Sequence, residues 1–173
     1  MLRNIYITSA EGHTGKSTVA LGVLHMLRRT GRDVGVFRPV TRAVRMDEPD
    51  VVLEFLLSQV ENPDPTAECT GVTYEEVHAD PDAALTAIMS RYKAIESRHD
   101  VVIILGSDYT DISTPTELGY NARIATNLGA PVLLVLGGRS QDDASRVPST
   151  ALMGTGRTPE EMLPAAEVAL DEL

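Results

Sequence analysis

The sequence predicts an α/β domain of three layers, with a mainly parallel central sheet flanked by helices. Three observations predict it. A short apolar run, Ile5-Tyr6-Ile7, breaks into a small polar loop holding Gly12 and Gly15 and then into an amphipathic helix. A second strand-like run follows that helix after a tight turn, which is the spacing of a βαβ unit. The most apolar run of the chain, Val101–Leu105, has the continuous hydrophobicity of a central strand buried on both faces.

Taken in order, residues 2–8 suit a buried parallel strand, and 16–29 form a helix with Val19, Ala20, Val23, Leu24 and Leu27 on one face. Thr30-Gly31-Arg32 closes that helix. Residues 33–38 supply Val34, Val36 and Phe37 as a second strand, which Pro39 is expected to end. Asp47-Glu48-Pro49-Asp50 places acids and a proline in a first helical turn, ahead of Val51, Leu53, Phe55, Leu56 and Leu57. Asn62-Pro63-Asp64-Pro65 stops it, and residues 65–73 carry no readable pattern.

Thr73-Tyr74-Glu75-Glu76 has capping-box spacing for a short helix. A longer helix begins at Asp80-Pro81, with Ala84, Leu85, Ile88, Tyr92 and Ile95 at helical spacing. Thr114-Pro115-Thr116-Glu117 caps another, running past Leu118, Ala122 and Ala125 to Leu128 and closed by Gly129. Residues 131–136 should be a further buried strand. From 137 to 156 the residues turn to Gly, Ser, Asp, Arg and Pro without period, so a mobile loop is expected there. Thr158-Pro159-Glu160-Glu161 then caps a final helix with an acidic outer face. No internal repeat or second block breaks residues 1–173, which read as one domain.

The loop after the first strand carries the chemistry. In Ala10-Glu11-Gly12-His13-Thr14-Gly15-Lys16-Ser17-Thr18, the two glycines let successive N–H groups face inward, and the helix starting near Lys16 adds its positive end. This reads as a phosphate-binding loop, the plainer alternative being a glycine-rich turn that has lost its ligand. Lys16 would reach terminal phosphates and Ser17 would offer a hydroxyl to Mg²⁺, although Ala10 stands where the general pattern has glycine. Ligands of open parallel sheets lie beyond the C-terminal ends of the strands. Arg38 is therefore a candidate for a phosphate or carboxylate, and Asp50, Asp108 and Glu11, with Asp47 and Asp111 behind them, are candidates for Mg²⁺. Each has a plainer reading as well: Arg38 as a surface ion pair, Asp50 as a complement to a helix dipole, Asp108 and Asp111 as turn caps, and His13 as an exposed tip.

A formal net charge of -10 argues against non-specific binding to nucleic acid or anionic lipid, so an anionic ligand must be captured locally. Cys69, the single cysteine, excludes an internal disulfide and reads as a small buried filler. No stretch resembles a signal peptide or approaches the roughly 20 apolar residues of a membrane span, which points to the cytoplasm. No metal role is expected of His25, His78 or His99, and no Ser-His-Asp or Cys-His spacing supports nucleophilic hydrolysis.

Several separated segments agree in order with one known family: residues 5–18, Gly35-Val36-Phe37-Arg38-Pro39-Val40, Val72-Thr73-Tyr74, His78-Ala79-Asp80-Pro81-Asp82, Gly106-Ser107-Asp108-Tyr109-Thr110-Asp111 and Asn121-Ala122-Arg123-Ile124-Ala125. They resemble the N-terminal P-loop domain of the long, multidomain bacterial phosphate acetyltransferases. That domain is similar in turn to dethiobiotin synthetase and to the wider cobyrinic acid synthetase and division-ATPase group.

The resemblance covers most of residues 2–136 and resumes at Gly156-Arg157-Thr158-Pro159. It implies a P-loop NTPase-like fold and a regulatory or stabilising domain that binds ATP, another nucleotide or a small anionic metabolite with Mg²⁺. The implied partners are the other domains or subunits of the acetyltransferase, and homo-oligomerisation stays open. In that family, acetyl transfer between acetyl-CoA and phosphate belongs to a separate C-terminal domain, which this chain is expected to lack.

The synthetase branch implies a stand-alone ATP- and Mg-dependent ligase instead. It places a lysine before the proline after the second strand, where this chain has Arg38. Division ATPases carry a further loop lysine, and none lies between Thr8 and Gly15. A structural assembly domain with a relic loop is the third alternative.

Overall fold

Among the described residues five strands are interspersed with helices, and every strand pair is parallel. The computed structural model describes residues 3–10, 12, 14–41, 49–107, 117–138, 156–171 and 173. The strands are β1 (Asn4–Thr8), β2 (Val34–Thr41), β3 (Thr70–Thr73), β4 (Val101–Leu105) and β5 (Val132–Leu134). The helices are α1 (Lys16–Arg28), α2 (Val51–Leu57), α3 (Tyr74–Ala79), α4 (Pro81–Glu96), α5 (Glu117–Leu128) and α6 (Pro159–Asp171). Strand order in the sheet is β3-β2-β4-β1-β5.

That order fixes the layers. From β1 the chain steps through α1 to β2 and through α2 to β3 in one direction, then returns through α4 to β4 and through α5 to β5 in the other. Right-handed crossovers therefore put α1 and α2 on one face and α4 and α5 on the opposite one. Arg28 of α1 accordingly bonds to Glu61 just past α2, at 2.7 Å. The neighbouring strands β1 and β4 are followed by helices on opposite faces, α1 and α5, and such a switch point opens the crevice in which ligands of doubly wound sheets sit.

The core lies against both faces of β4, which is buried at every residue. Leu24 and Leu27 approach with α1, Leu53 and Leu56 with α2, and Ile88, Tyr92 and Ile95 with α4. Tyr92 stacks edge-on to Phe37 with ring centres 5.6 Å apart, and its hydroxyl accepts a hydrogen bond from buried Asn4 at 2.8 Å. Burial pushes the Tyr92 phenol up to about 12.

Three sequence expectations change. Pro39 does not end β2, which runs on to Thr41. The Arg38 N–H donates to Cys69 O in the β3 direction, so strand alternation turns the Pro39 nitrogen toward the β4 side. The β2–β4 register already ends at Phe37↔Ile104, and the missing donor breaks no ladder bond. Residues 65–73, unreadable as sequence, end in β3, a four-residue edge strand whose Thr70 and Gly71 carbonyls both accept from Arg91 Nη1. Finally, β5 is a partly exposed edge rather than a buried strand, with Val132 38% exposed.

The caps follow the sequence. Thr73 and Glu76 form the expected capping box of α3, Asp80 accepts from Asp82 and Ala83 at the start of α4, and Asp50 accepts from Leu53 N at 3.0 Å to open α2. The expected cap of α5 at 114–116 and most of the loop at 137–156 lie outside the described residues.

Candidate phosphate site

Between β1 and α1 the chain must turn sharply enough to aim the helix start at the sheet edge. Gly15 makes that turn in the left-handed region, at φ 85, which a side chain would strain. It also leaves α1 without a side-chain cap, while its carbonyl accepts from Thr18 N and Val19 N at 2.9 and 3.0 Å. Gly12, Thr14 and Ser17 are half-buried, and Gly15 and Thr18 are exposed. Glu11 and His13 lie outside the described residues, as do Asp47, Asp108 and Asp111.

Lys16, the first residue of α1, is only 2% exposed. Its Nζ donates to the carbonyl of Gly106, the residue following β4. Arg38, 4% exposed on β2, directs Nη1 to the same carbonyl at 3.4 Å. Two cations from two different elements therefore converge on one backbone oxygen at the switch point. Sequence placement brought Lys16 and Arg38 to one end of the sheet, and the structure brings them to one atom.

Asp50 belongs to the same group. Its Oδ2 faces Arg38 Nε at 3.1 Å with both side chains nearly buried, and it accepts from Thr41 Oγ1 at 3.2 Å. Its Oδ1 accepts from Leu53 N. The plain reading of Asp50 as a helix cap is thus realised together with a buried ion pair.

A residue that the sequence reading passed over completes the site. Asn121 of α5 is 2% exposed and its Oδ1 accepts from Tyr6 Oη at 2.6 Å and from Ser107 N at 3.1 Å. Its Nδ2 donates to Ser107 Oγ at 3.1 Å. The signal was present: Asn121 sits inside the apolar stripe Leu118, Ala122, Ala125 and Leu128, where a polar side chain has to find buried partners. Thr8 Oγ1, at the end of β1, is buried without a hydrogen-bond partner.

These residues fit a phosphate: a bent glycine loop, an uncapped helix start and a lysine held nearby on a neutral acceptor are the parts that hold such a group. For Mg²⁺ the described candidates are the Ser17 hydroxyl and the Asp50 carboxylate, the latter already engaged by Arg38. No group of three or more His, Cys, Asp or Glu among the described residues forms a metal cage.

The opposite end of the sheet is different. An open cavity of about 640 Å³ there is lined by Arg3, Thr30, Arg32, His99 and Asp100. His99 stands between Asp64 Oδ2 at 2.5 Å and Asp33 Oδ2 at 3.1 Å. Cys69 is fully buried, and burial together with the Asp64 carboxylate pushes its thiol up to about 12, which suits an inert filler. No helix among the described residues is long and apolar enough to cross a membrane.

Comparison with known proteins shows the family of the chain. The sequence model of the family described as an AAA domain matches residues 3–153. Phosphate acetyltransferase from Nitratidesulfovibrio vulgaris is 32% identical over 157 residues, covering 88% of this chain and 22% of the relative. The ATP-dependent dethiobiotin synthetase of Bacillus licheniformis is 25% identical over 114 residues, covering 61% of this chain and 48% of the relative. Among solved structures, the BceF tyrosine kinase domain superposes with a TM-score of 0.51 at 20% identity, covering 98% of this chain and 64% of that one, a likeness of fold. The chain spans about a fifth of the length of the phosphate acetyltransferases it matches, in their N-terminal region.

Proposed function

We propose, from the premise that this chain belongs to the AAA-domain family, that it is a regulatory domain of a phosphate acetyltransferase. It binds a nucleotide or a small anionic metabolite without turning it over. The convergence of Lys16 and Arg38 on the Gly106 carbonyl supports this reading. A carbonyl can be exchanged for a phosphate oxygen, so Lys16 is poised to transfer its hydrogen bond to a bound anion.

In this reading Gly12, Thr14, Gly15, Lys16, Ser17 and Thr18, with Glu11 and His13, surround the phosphates. Arg38 takes an outer phosphate or carboxylate. Mg²⁺, when bound, neutralises phosphate charge, and Ser17 is its first protein ligand. Asp108 is the first acid proposed for it. Asp50 fits first as the partner of Arg38 and reaches the metal only by releasing that guanidinium.

Acetyl transfer from acetyl-CoA to phosphate is assigned to the rest of such a protein, whose other domains and subunits are the partners of this one in the cytoplasm. The likeness to dethiobiotin synthetase favours an ATP-dependent ligase as the second reading. A guanidinium at position 38 stays charged and cannot serve as a neutral amine, which counts toward binding rather than ligation.

Titration calorimetry with ATP, ADP, NADH and small phosphorylated or carboxylated metabolites, with Mg²⁺ present, tests the proposal. At least one should bind, and Lys16→Ala should weaken it by about tenfold to a hundredfold, the range for a lost charge-assisted hydrogen bond. Binding of none of them overturns the sensing role and leaves a scaffold. ADP release dependent on diaminopelargonate and bicarbonate would select the ligase.

A further inference from the structure

We propose that Asn121 is a positioning residue for Lys16, acting through the single peptide unit that joins Gly106 to Ser107. The β1–β4 ladder ends where Gly106 N donates to Ile7 O at 2.9 Å. Beyond that bond no sheet partner among the described residues fixes the next peptide plane. Its carbonyl oxygen is the one that Lys16 and Arg38 share, and its N–H is the one that Asn121 Oδ1 receives at 3.1 Å. A trans peptide is planar and points these two groups in opposite directions. Holding the N–H on α5 therefore aims the carbonyl at α1 and β2.

The asparagine is itself held from several sides. Tyr6 Oη donates to its Oδ1 at 2.6 Å from β1, and its Nδ2 donates to Ser107 Oγ at 3.1 Å. Both ends of the amide are thereby used, which fixes its rotamer and its flip. The approach is close enough to exclude a side chain at position 106: a Cβ there would lie 2.7 Å from Asn121 Oδ1, 2.8 Å from Tyr6 Cε1 and 3.0 Å from Thr8 Oγ1. Gly106 is thus required by the frame, and the frame spans β1, β4 and α5, the elements bordering the switch point.

The role of Lys16 toward an anion rests on the reading above, but the placement of Lys16 by Asn121 does not, and the two are tested separately. The chain has two lysines, Lys16 and Lys93. Lys93 has a side chain 62% exposed and serves as an internal reference. Acylation by an amine-reactive ester, followed residue by residue by mass spectrometry without any nucleotide, should modify Lys16 far more slowly than Lys93. In Asn121→Ala the Lys16 rate relative to Lys93 should rise about tenfold, as expected when a buried hydrogen-bond anchor is lost. Tyr6→Phe removes one donor and keeps Asn121, and should raise it about threefold.

Ile88→Val, a core substitution on α4 of similar modest cost, controls for general loosening and should leave the ratio unchanged. An unchanged ratio in folded Asn121→Ala, or an equal rise in Ile88→Val, overturns the proposal. Should Asn121→Ala fail to fold, Tyr6→Phe decides on the same criterion. Failure of nucleotide binding in calorimetry would remove the ligand and leave this result standing.

Discussion

At the C-terminal end of the strands Lys16 and Arg38 bring two cations onto the Gly106 carbonyl. At the N-terminal end, His99 stands between the carboxylates of Asp33 and Asp64, and Arg98 bonds to Asp64 and Glu68. Both ends carry charge close to the sheet and both hold an ion pair, Arg38 with Asp50 at the upper end, but only the upper end adds a lysine bonded to a backbone carbonyl. Carboxylates contributed by the connecting segments stitch the lower end together, and no exchange of those partners is needed for a folded protein. A backbone carbonyl at the upper end holds the Lys16 ammonium by a hydrogen bond to a neutral oxygen, a bond that a phosphate oxygen can replace. The upper arrangement suits a site, and the lower one suits a seam.

The largest expected effect is at the upper end, where one carboxylate serves three groups. Asp50→Ala removes the carboxylate that pairs with Arg38 and the acceptor for Thr41 and for the first turn of α2. With a nearly buried guanidinium deprived of its carboxylate, unfolding in urea should show a loss of about 3–5 kcal/mol. Asp50→Asn keeps an oxygen for the cap and should lose only about 1–3 kcal/mol. If Asp50→Ala cost under about 1 kcal/mol, the pair would be no buried clamp, contrary to the range expected for one.

The lower end should respond less, and without touching ligand binding. Asp64 holds His99 and Arg98 with a side chain 13% exposed, so Asp64→Ala should cost about 1.5–3 kcal/mol, the range for hydrogen bonds to charged groups. Its neighbour Glu68 meets Arg98 in the open, at 51% and 39% exposure, and Glu68→Ala should stay within about 0.5 kcal/mol. Neither substitution should change the affinity of any anion found by calorimetry. A tenfold loss of affinity in Asp64→Ala would show that the two ends are coupled and would blur the distinction drawn between them.

How legible these two ends were depends on the range of the interactions that build them. Strand and helix positions follow from local periodicity, and the capping box at Thr73 and the N-cap at Asp80 follow from residues three apart or fewer, so sequence carries them. The loop could be placed for the same reason: Gly15, Lys16 and Ser17 are adjacent. Asn121 is 115 residues from Tyr6, and no local pattern announces that their side chains meet. Position 39 misled because proline is incompatible with a paired nitrogen, and only the register shows that this one faces the exhausted side of the ladder. Residues 65–73 end in an edge strand, β3, whose Thr70 and Gly71 carbonyls meet Arg91 from α4, again a distant partner.

The smallest effect concerns acid. At the upper edge of the sheet, the Thr73 backbone N–H donates to Glu76 at 2.6 Å, and this bond holds the Glu76 carboxyl below its ordinary value of 4.5. Folding therefore favours the ionised form. The stability that this group adds is complete above the ordinary value and is lost as pH falls through the lower folded one. Because Glu76 is exposed, solvent screening limits the effect to about 0.5 kcal/mol or less. Urea midpoints of the wild type and Glu76→Gln should thus differ slightly at pH 7 and converge below the ordinary carboxylate range. Equal midpoints at both pH values would mean that the capping box persists without the charge, leaving the ion pair of Asp50 as the charged helix start that matters at this end of the sheet.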